Sequence, residues 1–463
     1  MTLSQTIGNL PVRVQTGAAN AIRFYVARHW YLLAGLALFH MAAGILMRRS
    51  PSVATVMAGT ALLAAISLAL MVRRPVHILC IAGYVAGSEV LWRMTRAGFP
   101  YETGKLAVMI ILVIGLFRMK KPKAPMNAIG FILLLIPGAV ISYSRWTWEG
   151  FVDAISFNLA GPMVLGVAVW FCSNVRITKK QLMNLMVCCM LPVLAVAGIS
   201  VSRTITAGAE AFQNVESNFT ASGGFGPNQV SSTLSYGAIM AGLYLLIAEM
   251  GGIRLLIIGG TLGAFFYQAL LTMSRAGPVT AGGALAAAVL FLLFDNSARR
   301  RVLVIIGPAI LLTVFVVLPK MNDLTGGALE ARFSDDFTDD TRSILMQQDM
   351  HAFSESPVFG VGVGISKFYH FDYVAAHTEY TRLIAEHGIF GILALAMLLF
   401  SGFSRILNLR WTLEGAWVAA MFVWVGLYMG VNAMRTVAPA LLYGMAFLTM
   451  RDIPAEADDE FVI

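Results

Sequence analysis

A histidine and an arginine in this chain could each take part in a reaction, and both lie beside apolar segments. His377 opens the segment His-Thr-Glu-Tyr-Thr-Arg-Leu, directly before a run of apolar residues. Histidine is the usual general acid or base in proteins because its pKa lies near neutrality. Arg275 lies in Thr-Met-Ser-Arg-Ala-Gly-Pro, a predicted tight turn between two apolar runs. Its guanidinium is always charged and matches phosphate oxygens, so the turn is a candidate anion site.

The elements that must position these residues are predicted to be membrane helices. Of the 463 residues, 58% are hydrophobic and 13% are charged, whereas soluble domains carry about 25% charged residues. Apolar runs of about 20 residues recur, the length that crosses a bilayer as a helix, so we predict an all-α polytopic membrane protein with about 12–14 transmembrane helices. The predicted spans start near residues 30, 53, 76, 105, 127, 151, 182, 228, 254, 277, 302, 380, 412 and 434.

Basic residues fall in alternate connections between these spans, which predicts the orientation. Cytoplasmic loops are enriched in Lys and Arg, so the N-terminus is predicted to be cytoplasmic. The clusters are Arg73-Arg74, Arg118 to Lys123, Arg176 to Lys180, Arg254, Arg299 to Arg301, and Arg405 with Arg410.

The same alternation divides the chain. The predicted parts are a cytoplasmic N-terminal segment (1–29), two groups of transmembrane helices (30–201 and 202–319), a large loop on the opposite side (320–379), the last three transmembrane helices (380–450) and a cytoplasmic tail (451–463).

Charge, the N-terminal segment and the cysteines argue against several kinds of function and site. The net charge of +8 does not indicate nucleic-acid binding, because basic residues of membrane proteins concentrate in cytoplasmic loops. The first 29 residues contain no apolar core followed by a small-residue cleavage site, so no removable signal peptide is predicted. All cysteines lie in apolar runs, which favours core residues over disulfides or metal ligands. They are Cys80, Cys172, Cys188 and Cys189.

Arginines on the side opposite the basic loops are the informative ones. An arginine near hydrocarbon generally pairs with an anion or lines a polar cavity, and for Arg275 we favour such a role. For Arg48, Arg49, Arg93 and Arg96 we favour side chains that extend to the membrane interface. The other arginines predicted on this side are Arg145, Arg203, Arg342 and Arg435, with Arg382 just inside a span.

Two long loops are predicted on the same side, Ser202 to Pro227 and Lys320 to about Ala376. The first ends in a turn rich in glycine and proline, where Asn228 is predicted to cap the next helix; the glycines would also let backbone amides approach an anion. A loop as long as the second is usually functional or disordered. Its acidic residues favour a solvated flexible face, with a divalent-ion site as the alternative. They are Asp323, Glu330, Asp335, Asp336, Asp339 and Asp340.

Five motifs occur in one order along the chain. They are Gly-Pro-Asn before a span, Ser-Arg-Ala-Gly between two spans, Thr-Arg (341–342), Pro-x-x-Gly-x-Gly (357–362), and His377 followed by Gly388-x-x-Gly391. Together they resemble the O-antigen ligase and O-antigen polymerase superfamily of bacterial envelope glycan assembly. The resemblance covers residues 200 to 400, and the first half agrees only in its hydrophobic character.

The resemblance implies a metal-independent, inverting glycosyltransferase of the bacterial inner membrane that needs no cofactor. Its donor would be a glycan on undecaprenyl diphosphate, displayed at the periplasmic face where the large loop would lie. The acceptor would be a hydroxyl of another glycan or of lipid A core. His377 would activate that hydroxyl and Arg275 would hold the diphosphate. Further partners would be membrane lipid and chain-length regulator or flippase proteins. The candidate substrate-binding residues are Arg203, Asn228, Arg342, Arg382, Thr378 and Tyr380.

The sequence departs from the family pattern at two positions. Asn, Ser or Gln usually follows the histidine, and Thr378 stands there in this chain. Many members have an arginine just before the glycine-rich turn, where this chain has Thr220; the nearest arginine is Arg203.

Other chemistry has weaker support. No two histidines have the spacing of a helical zinc site, and neither Gly98 to Lys105 nor Gly360 to Gly364 follows a nucleotide-binding fingerprint. The second of these is predicted to be a flexible turn. A transporter would need ionisable residues within spans, for which Glu89 is the clear candidate. An intramembrane serine protease lacks its Gly-x-Ser-x-Gly motif. Between polymerase and ligase we favour the polymerase.

Overall fold

The computed structural model describes residues 30–212, 216–248, 252–296, 298–334, 341–409 and 411–451. Within these ranges the structure is almost entirely helical, as predicted. The first eight helices are α1 (Trp30–Arg49), α2 (Pro51–Met71), α3 (Pro75–Met94), α4 (Thr103–Arg118), α5 (Met126–Arg145), α6 (Trp148–Cys172), α7 (Lys179–Ala207) and α8 (Pro227–Ile247).

The second half adds a group of short helices between longer ones. The next five are α9 (Ile253–Leu271), α10 (Ala276–Leu293), α11 (Arg299–Leu312), α12 (Leu318–Leu324) and α13 (Ala328–Ser334). The last five are α14 (Thr341–Glu355), α15 (Glu379–His387), α16 (Ile389–Asn408), α17 (Leu413–Val431) and α18 (Ala438–Met445). Two short strands, β1 (Arg176–Thr178) and β2 (Thr449–Arg451), pair in parallel.

Twelve helices in the described ranges are long and apolar enough to cross a membrane, counting α11 and α12 as one. Three predicted spans differ. The run from Lys105 forms α4, whose 16 residues fall short of the roughly 20 that span a bilayer. The span predicted near residue 380 begins instead at Ile389, because Gly388, with a φ of +60°, ends the nine-residue α15. The run near residue 434 ends as the eight-residue α18.

Helix α8 lies at the centre of the helical bundle. Nearly every residue of α8 is buried, and it packs against α7, α9 and α10. The approach of α10 is close because Gly277 has no side chain: a Cβ there would lie 2.4 Å from the carbonyl oxygen of Ser231. Helices α2 and α11 instead expose many apolar side chains, among them Leu63 and Val304, as a lipid-facing surface would. The glycine of the Ser-Arg-Ala-Gly motif therefore fixes its turn to the central helix.

Helix α8 begins two residues earlier than a cap by Asn228 would require. Pro227 occupies the first helical position, where its missing N–H removes no intrahelical hydrogen bond. The N-cap residue is Gly226, and no side chain caps this helix. The predicted capping role of Asn228 is therefore wrong, because the residue lies within the first turn.

The large loop contains regular structure and a closely packed segment, Pro357 to Gly364, which we call the Pro-Gly turn. It lies against α15, with hydrogen bonds from Val361 N to the Ala385 carbonyl (2.9 Å) and from Gly362 N to the Glu386 carbonyl (3.2 Å). Gly360 adopts a φ of +76°, and a Cβ there would lie 2.4 Å from the Glu386 carbonyl oxygen. The prediction of a merely flexible turn is therefore wrong, since this backbone is part of the helix packing.

The Gly-x-x-Gly that follows α15 allows close packing, as predicted. A Cβ on Gly391 would lie 2.0 Å from the carbonyl oxygen of Leu383, so α16 could not leave α15 along this path with a larger residue. A Cβ on Gly388 would likewise lie 2.6 Å from the backbone nitrogen of Gly360. These glycines hold the Pro-Gly turn, α15 and α16 together.

Candidate active site

His377 lies in a bend immediately before α15 and is half-buried. The next residue, Thr378, is the N-cap, and its hydroxyl accepts a hydrogen bond from Thr381 N (3.2 Å). This cap fixes the direction in which the chain enters the helix. The predicted position of His377 at a helix start is therefore confirmed, and Thr378 serves as the cap.

A buried histidine–aspartate pair supports that cap from the large loop. The Thr381 hydroxyl donates to Asp349 (2.6 Å), and the other oxygen of Asp349 lies 2.8 Å from His370 Nε2. His370 Nδ1 lies 2.6 Å from the Val374 carbonyl. Because both neighbours of the ring are acceptors, the ring holds two protons in this arrangement. Burial opposes that charge, but the bonds to Asp349 and Val374 outweigh it and raise the pKa of His370.

Helix α15 carries a buried ion-pair network on one face. Arg382 donates to both oxygens of Glu379, with Nε at 3.1 Å from Oε2, and its Nη1 lies 2.7 Å from Glu386 Oε2. The three residues are nearly inaccessible to solvent. Their spacing of three and four residues places them on the same helix face. Arg382 is thus held between two carboxylates, and its predicted role in substrate binding stays a prediction.

A proline in α6 supplies a further partner for Arg382. Pro162 has no N–H, so the carbonyl of Asn158, four residues earlier, loses its intrahelical donor. Arg382 Nη2 donates to that carbonyl at 3.1 Å. One residue before, the carbonyl of Phe157 accepts from the fully buried Lys105 Nζ (3.0 Å). Buried cations therefore satisfy the carbonyls of α6 beside its proline.

The carboxylates of Glu379 and Glu89 bind the backbone between α17 and α18. Glu379 Oε2 accepts from Met434 N (2.8 Å), and Glu89 Oε2 accepts from Val437 N (2.7 Å). Val437 directly precedes α18, so Glu89 also lies near the positive end of a helix dipole. The non-helical backbone at this point is buried but has charged acceptors.

Arg93 lies at the centre of these contacts. It binds Glu89 (2.5 Å), Gln229 Oε1 (2.8 Å) and the Arg435 carbonyl (3.0 Å), and its guanidinium carbon lies 3.6 Å from the centre of the Tyr101 ring. The side chain is 7% exposed. The prediction that Arg93 extends to the membrane interface is therefore wrong, since its partners draw it inward.

Arg275 is buried at the start of α10. Its Nε and Nη2 donate to the carbonyl of Arg332 in α13, at 3.1 and 2.7 Å. The preceding Ser274 donates from its hydroxyl to Asn228 Oδ1 (2.7 Å), which ties this turn to the start of α8. Met273 has a φ of +54°, so the predicted tight turn is confirmed.

The two motif regions meet through Arg93 and Arg435. Gln229 follows Asn228 at the start of α8 and accepts from Arg93. Arg435 donates from Nη2 to the carbonyls of Ala375 and Ala376, both at 2.9 Å, directly before His377. The structure thus brings the Gly-Pro-Asn turn, the turn of Arg275 and the segment of His377 into one connected network.

Three other residues predicted to bind substrate lie on different helices. Arg203 is exposed on α7; a Cβ on Gly224 would meet the guanidiniums of Arg48 (3.0 Å) and Arg203 (3.8 Å). Arg342 is the second residue of α14 and is half-buried. Tyr380 donates to the Gly426 carbonyl (2.9 Å) and lines an apolar cavity. Their proposed contacts with substrate stay predictions.

Sequence reasoning missed several residues of this network. Glu379 and Glu386 carried a local signal, because they flank Arg382 at helical spacing. Asp349 and His370 carried no local sequence signal, because their contact depends on how the large loop folds. The missed residues are Arg93 in its buried role, Lys105, Asp349, His370, Glu379 and Glu386.

The acidic part of the large loop is only partly described. Asp335, Asp336, Asp339 and Asp340 lie outside the described residues. Among the residues the structure describes, no group of three or more His, Cys, Asp or Glu is arranged to hold a metal ion. All four cysteines are free, and two of them, Cys172 and Cys189, are buried, as predicted for core residues.

Part of the chain matches a known protein family. Residues 260–396 match the family model described as O-Antigen ligase. This part of the chain is similar to the O-antigen ligase family. The matched residues include both Arg275 and His377, and the match supports a relation to the O-antigen ligase and polymerase superfamily, whose proteins transfer glycans. The long apolar helices together with this match indicate a multi-pass membrane protein. No curated protein matches the chain.

Proposed function

We propose that the protein transfers a glycan from undecaprenyl diphosphate to a sugar hydroxyl at the periplasmic face of the inner membrane. The observation that carries this proposal is the match of residues 260–396, which include both Arg275 and His377, to the O-antigen ligase family model. The contact network that joins their surroundings through Arg93 and Arg435 supports a shared site.

In the proposed reaction, His377 takes the proton of the acceptor hydroxyl as its oxygen attacks the anomeric carbon of the donor. The bond from that carbon to the phosphate oxygen breaks, and its electron pair leaves with the lipid diphosphate. Positioned cations stabilise a leaving group whose charge grows during the reaction. Arg275 is the proposed cation. Since the donor is already activated, the reaction draws no energy from a nucleotide.

The support for this chemistry is local. The cap at Thr378 and the bonds from Arg435 to Ala375 and Ala376 fix the backbone on both sides of His377. A general base must hold its position within hydrogen-bond reach of the hydroxyl it deprotonates. Asp349 and His370 add a second layer behind the cap. The rigidity of this segment suits a catalytic role for His377.

Polymerisation of repeat units is the favoured reaction, and ligation to lipid A core is the second candidate. The description of the matching family model favours the ligase, whereas Thr378 and the Gly-Pro-Asn-Gln turn favour the polymerase. Deleting the gene separates them, because loss of a polymerase leaves single repeat units and loss of a ligase leaves long lipid-bound chains.

Transport of the lipid-linked glycan has less support. A transporter needs ionisable groups that interact with a moving substrate. The buried carboxylates of Glu89, Glu379 and Glu386 instead accept hydrogen bonds from named arginines and backbone amides. These contacts stabilise the helix arrangement.

Purified full-length protein with a defined undecaprenyl-diphosphate oligosaccharide tests the proposal. Longer lipid-linked products are expected when this compound is both donor and acceptor, and transfer to lipid A core would indicate the ligase. Absence of any glycan transfer by folded protein with either acceptor would overturn the proposed function.

A further inference from the structure

A cleft of about 520 Å³ opens beside the segment that leads to His377. Its walls come from four parts of the chain: the connection before α4, the start of α6 with the residues just before it, the large loop, and Arg382 and Glu386 of α15. Ala375 and Ala376 form part of the wall, so the cleft reaches the residues directly before His377. Its volume falls in the roughly 300–1,000 Å³ range of small-molecule sites. The cleft is thus large enough for a small-molecule ligand and adjoins the residues that precede the proposed base.

The cleft combines aromatic rings with carboxylates and amides. Trp146, Phe157 and Tyr373 line it, together with the side chains of Asp153 and Asn158. Sugars present apolar C–H faces, which pack on aromatic rings, and hydroxyl groups, which bind carboxylates and amides. A lipid tail would need apolar walls throughout, as in the separate cavity of about 230 Å³ that Tyr380 and neighbouring leucines line.

Phe368 joins the rings of Trp146 and Tyr373 into a row beside the cleft, although Phe368 does not itself line it. The rings of Trp146 and Phe368 are 5.5 Å apart, and those of Phe368 and Tyr373 are 5.8 Å apart. Lys367 Nζ lies 5.1 Å from the centre of the Trp146 ring. Tyr373 is 68% exposed although aromatic side chains gain from burial, so its ring is available to a ligand.

Tyr373 is held beside the cleft in a strained backbone conformation. Asp372 and Tyr373 have φ values of +50° and +53°, in the left-handed region that residues other than glycine rarely adopt. Such conformations persist only where the surrounding structure over-determines them. Here His370 binds the Val374 carbonyl at 2.6 Å and closes the loop around the two residues.

We propose that this cleft binds the acceptor glycan, with its sugar rings on Trp146 and Tyr373 and the attacking hydroxyl directed towards His377. The inference rests on the proposed function and names its acceptor site. None of the residues that line the cleft belongs to the turn of Arg275, where the donor diphosphate is proposed to bind. Donor and acceptor would then approach the segment of His377 from two different surfaces.

The test compares variants of two aromatic residues that line the cleft with a variant of a nearby tryptophan that does not line it. Trp146→Ala and Tyr373→Ala each remove a ring from the cleft, and Tyr373→Ala changes an exposed side chain, which keeps the test valid if Trp146→Ala misfolds. Trp148→Ala is the matched control, since Trp148 is 67% exposed two residues from Trp146 and does not line the cleft.

The binding probe is the oligosaccharide released from the cell's own lipid-linked glycan by mild acid, added to full-length protein in nanodiscs. We expect saturation-transfer NMR to detect its binding to the wild type and to Trp148→Ala. Affinity should fall about tenfold in the two cleft variants, which corresponds to roughly 1.4 kcal/mol. In transfer assays, the KM for acceptor should rise by a similar factor while the KM for donor stays within about twofold.

The outcomes separate this inference from the proposed function. Binding that falls in the cleft variants of a protein with no transfer activity would support a glycan cleft and reject the proposed function. Both cleft variants could instead transfer glycan with unchanged oligosaccharide binding and unchanged KM for acceptor. That result would reject the acceptor-binding role of the cleft and leave the proposed function intact. Lower membrane insertion of Tyr373→Ala with unchanged binding would also reject it and assign the aromatic row to the membrane interface.

Discussion

Arg275 and Arg332 each bind the backbone of the other's segment. Two nitrogens of Arg275 donate to the carbonyl of Arg332, and Arg332 Nε donates to the carbonyl of Met273 (3.3 Å). These reciprocal bonds hold the short helix α13 against the turn that contains Arg275. A phosphate oxygen is a charged acceptor and a carbonyl is a neutral one, so a diphosphate would compete well for the same guanidinium.

Replacement of Arg275 should therefore reduce glycan transfer strongly. We expect Arg275→Ala to lower the rate by roughly 100- to 1,000-fold, as the loss of one donor to developing charge does in other enzymes. Arg275→Lys should recover only part of the rate, since an ammonium lacks the two-pronged geometry. Initial rates of transfer with purified variants give the measurement. A wild-type rate from Arg275→Lys would reject bidentate binding by this residue.

Arg332→Ala tests what α13 contributes. The carbonyl that Arg275 binds belongs to the backbone and stays in this variant, while the bond to Met273 is lost. We expect the transfer rate to fall less than about tenfold, because no group that contacts the donor is removed. The same rate assay applies. A loss as large as that of Arg275→Ala would instead assign a direct role to Arg332.

His377→Ala should abolish measurable transfer without unfolding the protein. Loss of a general base slows catalysis by roughly 100- to 10,000-fold. The cap by Thr378 does not depend on the histidine ring, so the thermal midpoint should stay near the wild-type value. His351→Ala is the control, because His351 lies in the same loop and its side chain is 68% exposed. Transfer at the wild-type rate by folded His377→Ala would exclude the catalytic role.

Glu386→Ala should destabilise the protein. Glu386 neutralises Arg382 and also accepts from Gly364 N (2.9 Å) and the Ser366 hydroxyl (3.1 Å). Removing one partner of a buried ion pair typically costs about 3–5 kcal/mol, because it leaves the other charge uncompensated. Thermal unfolding in detergent, followed by size-exclusion chromatography, gives the measurement. Glu149→Ala is the control on an exposed glutamate, and an equal midpoint for both variants would contradict the expectation.

His370 should make stability fall as pH rises. Burial disfavours its charged form, but the contacts with Asp349 and Val374 raise its pKa above the ordinary 6.5. Since the folded pKa is the higher one, the stabilisation is complete below about pH 6.5 and is lost as pH rises through the raised pKa. The thermal midpoint of the wild type should drop over this range, and His370→Asn should show a smaller drop. Parallel curves for wild type and His370→Asn would show that another group titrates.

Chelation should have little effect on transfer. The proposed reaction uses His377 and Arg275 and assigns no step to a metal ion. We expect the rate in excess EDTA to stay within about twofold of the untreated rate. None of the proposed steps uses a metal ion as a Lewis acid. Strong inhibition that magnesium reverses would favour the alternative of a divalent-ion site in the acidic part of the large loop.

Local patterns predicted the helices and the position of His377, and long-range contacts decided the rest. Apolar runs and the polar start of α15 are readable from neighbouring residues, so both predictions were confirmed. Arg93 was misjudged because its partners Gln229 and Arg435 lie far away in the sequence. The end of α15 at Gly388 was missed because apolar residues continue across it, and only the backbone conformation marks the break.

The parallel pairing of β1 with β2 has a consequence for how the chain is assembled. Arg176 lies opposite Thr449, so the segment between α6 and α7 pairs with a strand that follows every membrane-crossing helix described. During synthesis β1 emerges long before β2, and its edge must wait unpaired while the helices from α7 onwards are made. The ladder can close only after the last of these helices has been synthesised, so this pairing cannot guide the insertion of the earlier ones.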